Sequence, residues 1–169
     1  MLIGYDGRFI TEKPTGNGVY AARLIEALSR LDQENSYRLY LAGPRPTLPS
    51  ISESNVEVRL MHPLHRSAWL RVPVLFPLEL WRRPVDVFHA HYTVPSRIKA
   101  AVVLTLHDFF WVIYPEYFVS PKRLPLTYTI RSSVNRADQI LVGSEFMKSE
   151  AIEHFEVPAE RFRVIPYGV

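Results

Sequence analysis

Histidine closes two apolar runs in this chain, Val85-Asp86-Val87-Phe88-His89-Ala90-His91 and Val102-Val103-Leu104-Thr105-Leu106-His107-Asp108. An apolar, β-branched run bounded by polar residues reads as a strand buried on both faces. In an open parallel sheet, ligands sit just outside the carboxyl ends of the strands. Imidazoles at two such ends place titratable hydrogen-bonding groups where folds of this kind do chemistry.

His107-Asp108 is the first candidate site. A histidine at a strand end can donate to a developing anion or to a hydroxyl, and an adjacent carboxylate can set its tautomer. The competing reading is a histidine that only closes a loop. Asp108 faces away from His107 if the strand runs through it, which suits a structural cap. His89 and His91 are two apart and share a face if the strand continues through both. Two imidazoles on one face can line a cleft, bind a metal or pack structurally. No acids to complete a metal shell are evident, so no metal and no cofactor are expected.

Gly16-Asn17-Gly18 precedes a helical pattern. Glycines there let backbone approach a ligand, and helix N-terminal amides favour anions; the alternative is a plain turn. With Ala21 these glycines formally match the dinucleotide fingerprint. That motif needs its glycines directly after the strand and an acid after the second strand, and neither holds. Ser144-Glu145 stands where another strand meets a helix. Ser144 can cap that helix, and Glu145 either reaches a ligand hydroxyl or simply favours the helix dipole. No G-x-S-x-G elbow and no Walker loop is present.

The elements that position these residues follow from periodicity. Strands are predicted at 2–6, 37–42, 56–60, 85–89, 102–107, 139–143 and 162–165. The 37–42 strand is closed by Gly43-Pro44. A helix over 19–31 has its stripe at Val19, Ala22, Ile25, Leu28 and Leu31. Residues 67–82 read as a helix broken by Pro73 and Pro77. Residues 109–121 read as an aromatic loop, 122–136 as a helix, and a helix capped by Ser144 runs to about Phe155. Strands alternating with helices imply an α/β fold, a doubly wound parallel sheet of Rossmann type, as one domain over 1–169.

The 169 residues suffice for a full core, and the net charge of +3 lacks the clustered basic stripe of a nucleic-acid binder. The absence of cysteine fits a reducing compartment. Asp6 and Arg8 interrupt any secretory signal, and no apolar run approaches the roughly 20 residues of a membrane span. A cytoplasmic protein is expected. The segment 62–84 sets Arg66, Arg71, Arg82 and Arg83 against one Glu79, with Trp69, Leu70, Val74, Leu75, Phe76, Leu78 and Trp81 among them. It reads either as a helix packed on the sheet with arginines on its wet face, or as a peripheral contact with an anionic membrane.

Four ordered stretches resemble the N-terminal, acceptor-side half of a retaining GT-B glycosyltransferase of the family 4-like, mannosyl- and glucosyltransferase type. They are Tyr5-Asp6-Gly7-Arg8 with Thr15-Gly16-Asn17-Gly18-Val19-Tyr20; Asp86-Val87-Phe88-His89 with His91-Tyr92; Thr105-Leu106-His107-Asp108 with Tyr114-Pro115-Glu116-Tyr117; and Ala137 to Phe146 with Val157-Pro158 and Arg163 to Val169. Together they span the chain in the family's order.

The resemblance implies transfer of a hexose from a nucleotide-sugar donor to a glycan or lipid-linked acceptor. His107 would face the transferred sugar, and Gly16 and Gly18 would approach a phosphate or the acceptor. Retention in such enzymes is usually described with the leaving phosphate assisting attack on the same face. The resemblance also implies a second, C-terminal donor-binding domain, with a paired-glutamate motif that this chain lacks. The chain alone is therefore expected to be inactive. The alternative is a non-catalytic or split-enzyme module that binds a sugar or phosphate and a partner domain.

Overall fold

In a computed structural model of the chain, which describes residues 1–42, 51, 54–62, 64, 70–117 and 123–168, strands and helices alternate as the periodicity predicts. The elements are β1 (Leu2–Asp6), α1 (Gly16–Leu31), β2 (Ser36–Ala42), β3 (Val56–Met61), a π-helical turn (Arg71–Leu75) running into α2 (Phe76–Arg82), β4 (Val87–His91) and β5 (Ala101–Leu106). Then come α3 (Phe110–Ile113), a 3-10 turn (Pro115–Tyr117), α4 (Arg123–Arg136), β6 (Gln139–Val142), α5 (Glu145–Phe155), a second 3-10 turn (Ala159–Arg161) and β7 (Phe162–Val164). The expected stop at Gly43-Pro44 lies outside the described residues.

The strand order is β3-β2-β1-β4-β5-β6-β7. The pairs β1–β2, β1–β4, β2–β3, β5–β6 and β6–β7 are all parallel. This is an α/β, Rossmann-like sheet whose order reverses beside β1, the point outside which such sheets hold ligands. The chain divides into two compact units, Met1–His89 with Pro95–Ala101, and Ala90–Val94 with Val102–Val169.

In the first unit, Tyr5, Tyr37, Leu39 and Leu41 form a core with Ile10, Ala21 and Ile25. Burying each aliphatic side chain there contributes roughly 1.5–3 kcal/mol. The buried face of α1 is Gly18, Ala21, Ile25 and Ser29, and Val19 and Leu31 are exposed. The predicted stripe is thus rotated by a position over the first turns, because the small residues must face inward. A Cβ on Gly18 would stand 2.3 Å from the carbonyl oxygen of Phe9, so only glycine lets that loop pass. The Tyr5 hydroxyl likewise reaches the carbonyl of Ala21 at 3.1 Å.

The break expected at Pro73 and Pro77 is a widened turn. The Phe76 N–H reaches back five residues to the Arg71 carbonyl. Pro77 has no N–H to offer the Pro73 carbonyl, and the Ser96 hydroxyl donates to that carbonyl instead, at 3.4 Å. The inner face of this helix carries Val72, Phe76 and Leu80. Phe76 meets the rings of Tyr40 and Phe88 at 5.5 and 5.2 Å.

Most strand limits fall within one residue of those predicted, and the shifts of the fourth and fifth strands bear on the site. The fourth strand covers 87–91, not 85–89, because Asp86 leaves the ladder to accept the Leu2 N–H with its carboxylate at 2.7 Å. The fifth covers 101–106, so His107 follows the strand instead of ending it. Asp138, just before β6, repeats the device in the second unit by accepting the Val102 N–H at 2.7 Å. The predicted aromatic loop 109–121 contains α3 and a 3-10 turn. Its start is anchored by Phe109, buried against Phe155 at 5.4 Å.

Candidate functional site

The polar residues of the second unit gather at the carboxyl end of β5. His91, the last residue of β4, is fully buried, and His107 is half-buried. Their rings are parallel to within 5°, and His91 Nδ1 lies 3.1 Å from His107 Nε2. Two imidazole nitrogens at this separation share one proton, with one nitrogen donating and the other accepting. A second proton on the pair would abolish the bond. The bond therefore couples the tautomers of His107 and His91, so the tautomer partner of His107 is His91 and not the adjacent Asp108.

Asp108 has a different partner. Its Oδ2 accepts the Tyr92 hydroxyl at 2.7 Å. The alternation that would have turned Asp108 away from the site does not apply, because β5 stops at Leu106. Tyr92 and Asp108 flank the two histidines, and the Tyr92 ring lies 5.5 Å from that of His107.

Tyr92 holds a backbone φ of +60°, uncommon for a bulky residue. The Thr93 N–H closes back onto the His91 carbonyl at 2.7 Å, a three-residue turn. Such a conformation costs on the order of 1–3 kcal/mol and persists only where the surroundings over-determine it. Here the Tyr92 N–H donates to the Thr105 carbonyl at 3.1 Å. Beyond the turn, the Val94 N–H donates to the buried Ser133 hydroxyl at 2.9 Å, and the Val94 carbonyl accepts from Arg136 at 2.7 Å. Helix α4 thus holds both backbone groups of Val94, which fixes the turn that aims Tyr92 at Asp108.

Tyr167 completes the cluster. Its ring stacks on His107 with centroids 6.1 Å apart, and its hydroxyl donates to the His107 carbonyl at 3.3 Å and lies 3.5 Å from Nδ1. The ring rests on Gly143, where a Cβ would come within 2.7 Å of it. Gly143 is required by this approach. Ser144 next to it caps α5, its Oγ accepting the Met147 N–H at 3.2 Å. Glu145 is exposed in the first turn.

The remaining predicted residues belong to the first unit. His89 is buried edge-on against Tyr5, with centroids 5.0 Å apart. Helix α1 starts at Gly16 and Thr15 supplies no side-chain cap. Gly16 is exposed, with nothing within 4 Å of its Cβ direction, whereas the space at Gly18 is filled by Phe9. Asn17 lies between them, half-buried. Among the described residues, no three His, Asp or Glu gather as metal ligands.

Sequence reasoning missed Tyr92, Tyr167, Ser133 and Arg136. Tyr92 and Tyr167 stood inside the motifs that carried the resemblance, yet their partners lie 16 and 60 positions away. A non-glycine residue directly after a strand-ending histidine gave no signal of a positive φ.

A Rossmann-like sheet with polar residues collected at its strand ends is an architecture that holds ligands there. The profile of Glycosyltransferase Family 4 matches residues 14–169, and the chain belongs to that family. The fold is similar to that of the wall teichoic acid polymerase TagF, seen in two histidine variants with TM-scores of 0.59 and 0.58 at 10% identity. Those alignments cover 98% of this chain and 38% of each TagF chain, so this chain spans well under half of their length. At that identity the likeness concerns the fold alone. No sequence among curated proteins matches the chain.

Proposed function

We propose that this chain is the acceptor-side domain, over 1–169, of a retaining glycosyltransferase that moves a hexose from a nucleotide-sugar donor to a glycan or lipid-linked acceptor. The observation that carries the reading is the His91–His107 contact at 3.1 Å, in a chain of this family, with the Tyr92–Asp108 bond beside it. His91 fixes the proton on His107, and His107 offers its half-exposed ring to a hydroxyl of the transferring sugar. Asp108 is exposed and, even while holding Tyr92, keeps acceptor capacity for a second hydroxyl. Ser144 and Glu145 contribute from the start of α5, Glu145 by accepting from an acceptor hydroxyl. The tip of α1 at Gly16, Asn17 and Gly18 serves a phosphate or an anionic acceptor group, with open space at Gly16 in favour. His89 lines the acceptor side. No resident metal or cofactor is part of this reading.

The donor is held by a second domain or a partner chain. The exposed apolar side chains of Phe146 and Ile165 support such a contact. The protein works in the cytoplasm, with a peripheral contact to the membrane through the segment 62–84. Leu70, Val74, Leu78 and Trp81 are exposed at helical spacing, next to exposed Arg82 and Arg83; Arg66 and Trp69 lie outside the described residues. Among the described residues, no helix is long and apolar enough to cross a membrane.

The test is calorimetric titration of the chain with sugar nucleotides and with oligosaccharides, alongside an assay for sugar-nucleotide turnover. Oligosaccharide binding that His107→Ala weakens at least tenfold, without robust turnover by the chain alone, is the expected result. Robust turnover by the chain alone, or binding indifferent to His107→Ala, overturns the reading.

A further inference from the structure

Immediately after His107-Asp108, three aromatic rings stand in water together. Phe110 is 47% exposed, Tyr114 42% and Tyr117 73%. Their centroids are 5.4 Å (Phe110–Tyr114), 6.3 Å (Phe110–Tyr117) and 6.3 Å (Tyr114–Tyr117) apart. The spacing i, i+4, i+7 on α3 and the 3-10 turn puts them on one face. Backbone bonds from the Tyr114 N–H to the Phe110 carbonyl (2.8 Å) and from the Tyr117 N–H to the Tyr114 carbonyl (3.2 Å) hold that spacing. The segment is pinned from below. Phe109 is buried on Phe155, and Trp111 lies 6.1 Å from the Tyr92 ring. The platform is therefore preorganised, so a ligand need not order it.

Leaving clustered aromatic faces in water is unfavourable, and such clusters mark contact sites. The surrounding chemistry selects the occupant. From His107 to Tyr117 the charged residues are Asp108 and Glu116, both acidic and exposed, with no Lys or Arg. The two carboxylates beside the rings favour a neutral, hydroxyl-bearing occupant over an anionic one. A pyranose suits it: its C–H face is apolar enough to lie on an aromatic ring, and its hydroxyl edge can donate to carboxylates. The platform also leads, through Trp111 and Tyr92, to His107.

The geometry points to a neutral-glycan subsite on Phe110, Tyr114 and Tyr117, which holds the acceptor chain at a distance from the reacting sugar. This rests on the carbohydrate-transfer reading and adds the class of acceptor: an oligosaccharide of neutral hexopyranoses, several residues long. Sugar units beyond the one at His107 lie across the three rings, and Glu116 accepts from their hydroxyls.

The experiment titrates the whole chain with maltohexaose and with an α-linked mannohexaose, followed by amide and side-chain NMR shifts. Tyr117→Ala, the most exposed ring and so the safest to remove, and Phe110→Ala/Tyr117→Ala are compared with His107→Ala and Trp81→Ala. At least one hexasaccharide is expected to shift residues 110–117. Its Kd should rise at least fivefold in Tyr117→Ala and more in the double variant, with Trp81→Ala unchanged and Tyr117→Phe restoring affinity. Binding that is lost in His107→Ala but unaltered in both platform variants overturns the subsite and leaves the transfer reading standing. Absence of any binding by the wild-type chain overturns both. Self-association that the platform variants abolish, with glycan affinity unchanged, assigns the face to a second copy of the chain and also overturns the subsite.

Discussion

The hydroxyl of Tyr92 donates to the carboxylate of Asp108 at 2.7 Å, across 16 positions of sequence, from a residue whose backbone lies at a φ of +60°. Removing that hydroxyl in Tyr92→Phe keeps the ring against His107 and Trp111. We expect a stability loss of about 0.5–1.5 kcal/mol, since one partner of the bond faces water. Oligosaccharide affinity should fall as Asp108 loses its orientation. Denaturant unfolding beside a sugar titration checks both. Unchanged affinity would show that Asp108 is already held elsewhere.

The two glycines at the start of α1 are expected to behave oppositely. Gly18→Ala drives a Cβ against the backbone oxygen of Phe9, which should cost about 2 kcal/mol or more. Gly16→Ala meets open space and should be neutral or stabilising by up to about 1 kcal/mol. Thermal unfolding separates them. A loss of phosphate or sugar-nucleotide binding in Gly16→Ala, with stability intact, would then report on ligand approach and not on folding.

Acid titration of the first unit should expose a linkage at Asp32. Hydrogen bonds from the Tyr37 hydroxyl, then the Asn35 amide, lower its pKa from 3.8 to about 2. A depressed folded-state pKa adds stability that is complete above the unfolded value and disappears as pH falls from about 4 towards 2. In Tyr37→Phe the largest cause is gone, so stability should fall less steeply over that window. Parallel wild-type and variant curves from pH 5 to 2 would refute the linkage.

The outer stripe of the helix spanning 70–82 predicts binding to vesicles. Sedimentation with phosphatidylglycerol vesicles should exceed that with phosphatidylcholine alone and weaken with salt. Arg82→Glu/Arg83→Glu should weaken it about fivefold or more, since each arginine near an anionic surface is worth about 1 kcal/mol. Trp81→Ala should weaken both lipid arms. Equal sedimentation of all forms would leave the stripe to another surface.

Most of the architecture was legible because buried parallel strands carry their signal locally. The runs at Tyr37–Ala42 and Gln139–Val142 could only be core strands, and Ser144 caps its helix as its residue type predicts. Strand limits were not legible at Asp86, because whether a carboxylate ends a strand or clamps its neighbour depends on the Leu2 N–H, 84 positions away. The stripe of α1 was legible at Ala22, Ile25 and Leu28 but not at its ends, for a related reason. Hydrophobicity favoured Val19, whereas space at the sheet favoured Gly18 and Ala21. At the site, the histidines were visible as residues that interrupt apolar runs. Their pairing was not, because it depends on where β4 and β5 stop.

The attachment of Val94 to Ser133 and Arg136 makes helix α4 a lever on the histidine cluster. Loss of either bond would free the Val94 backbone and, two residues upstream, the bend that holds Tyr92.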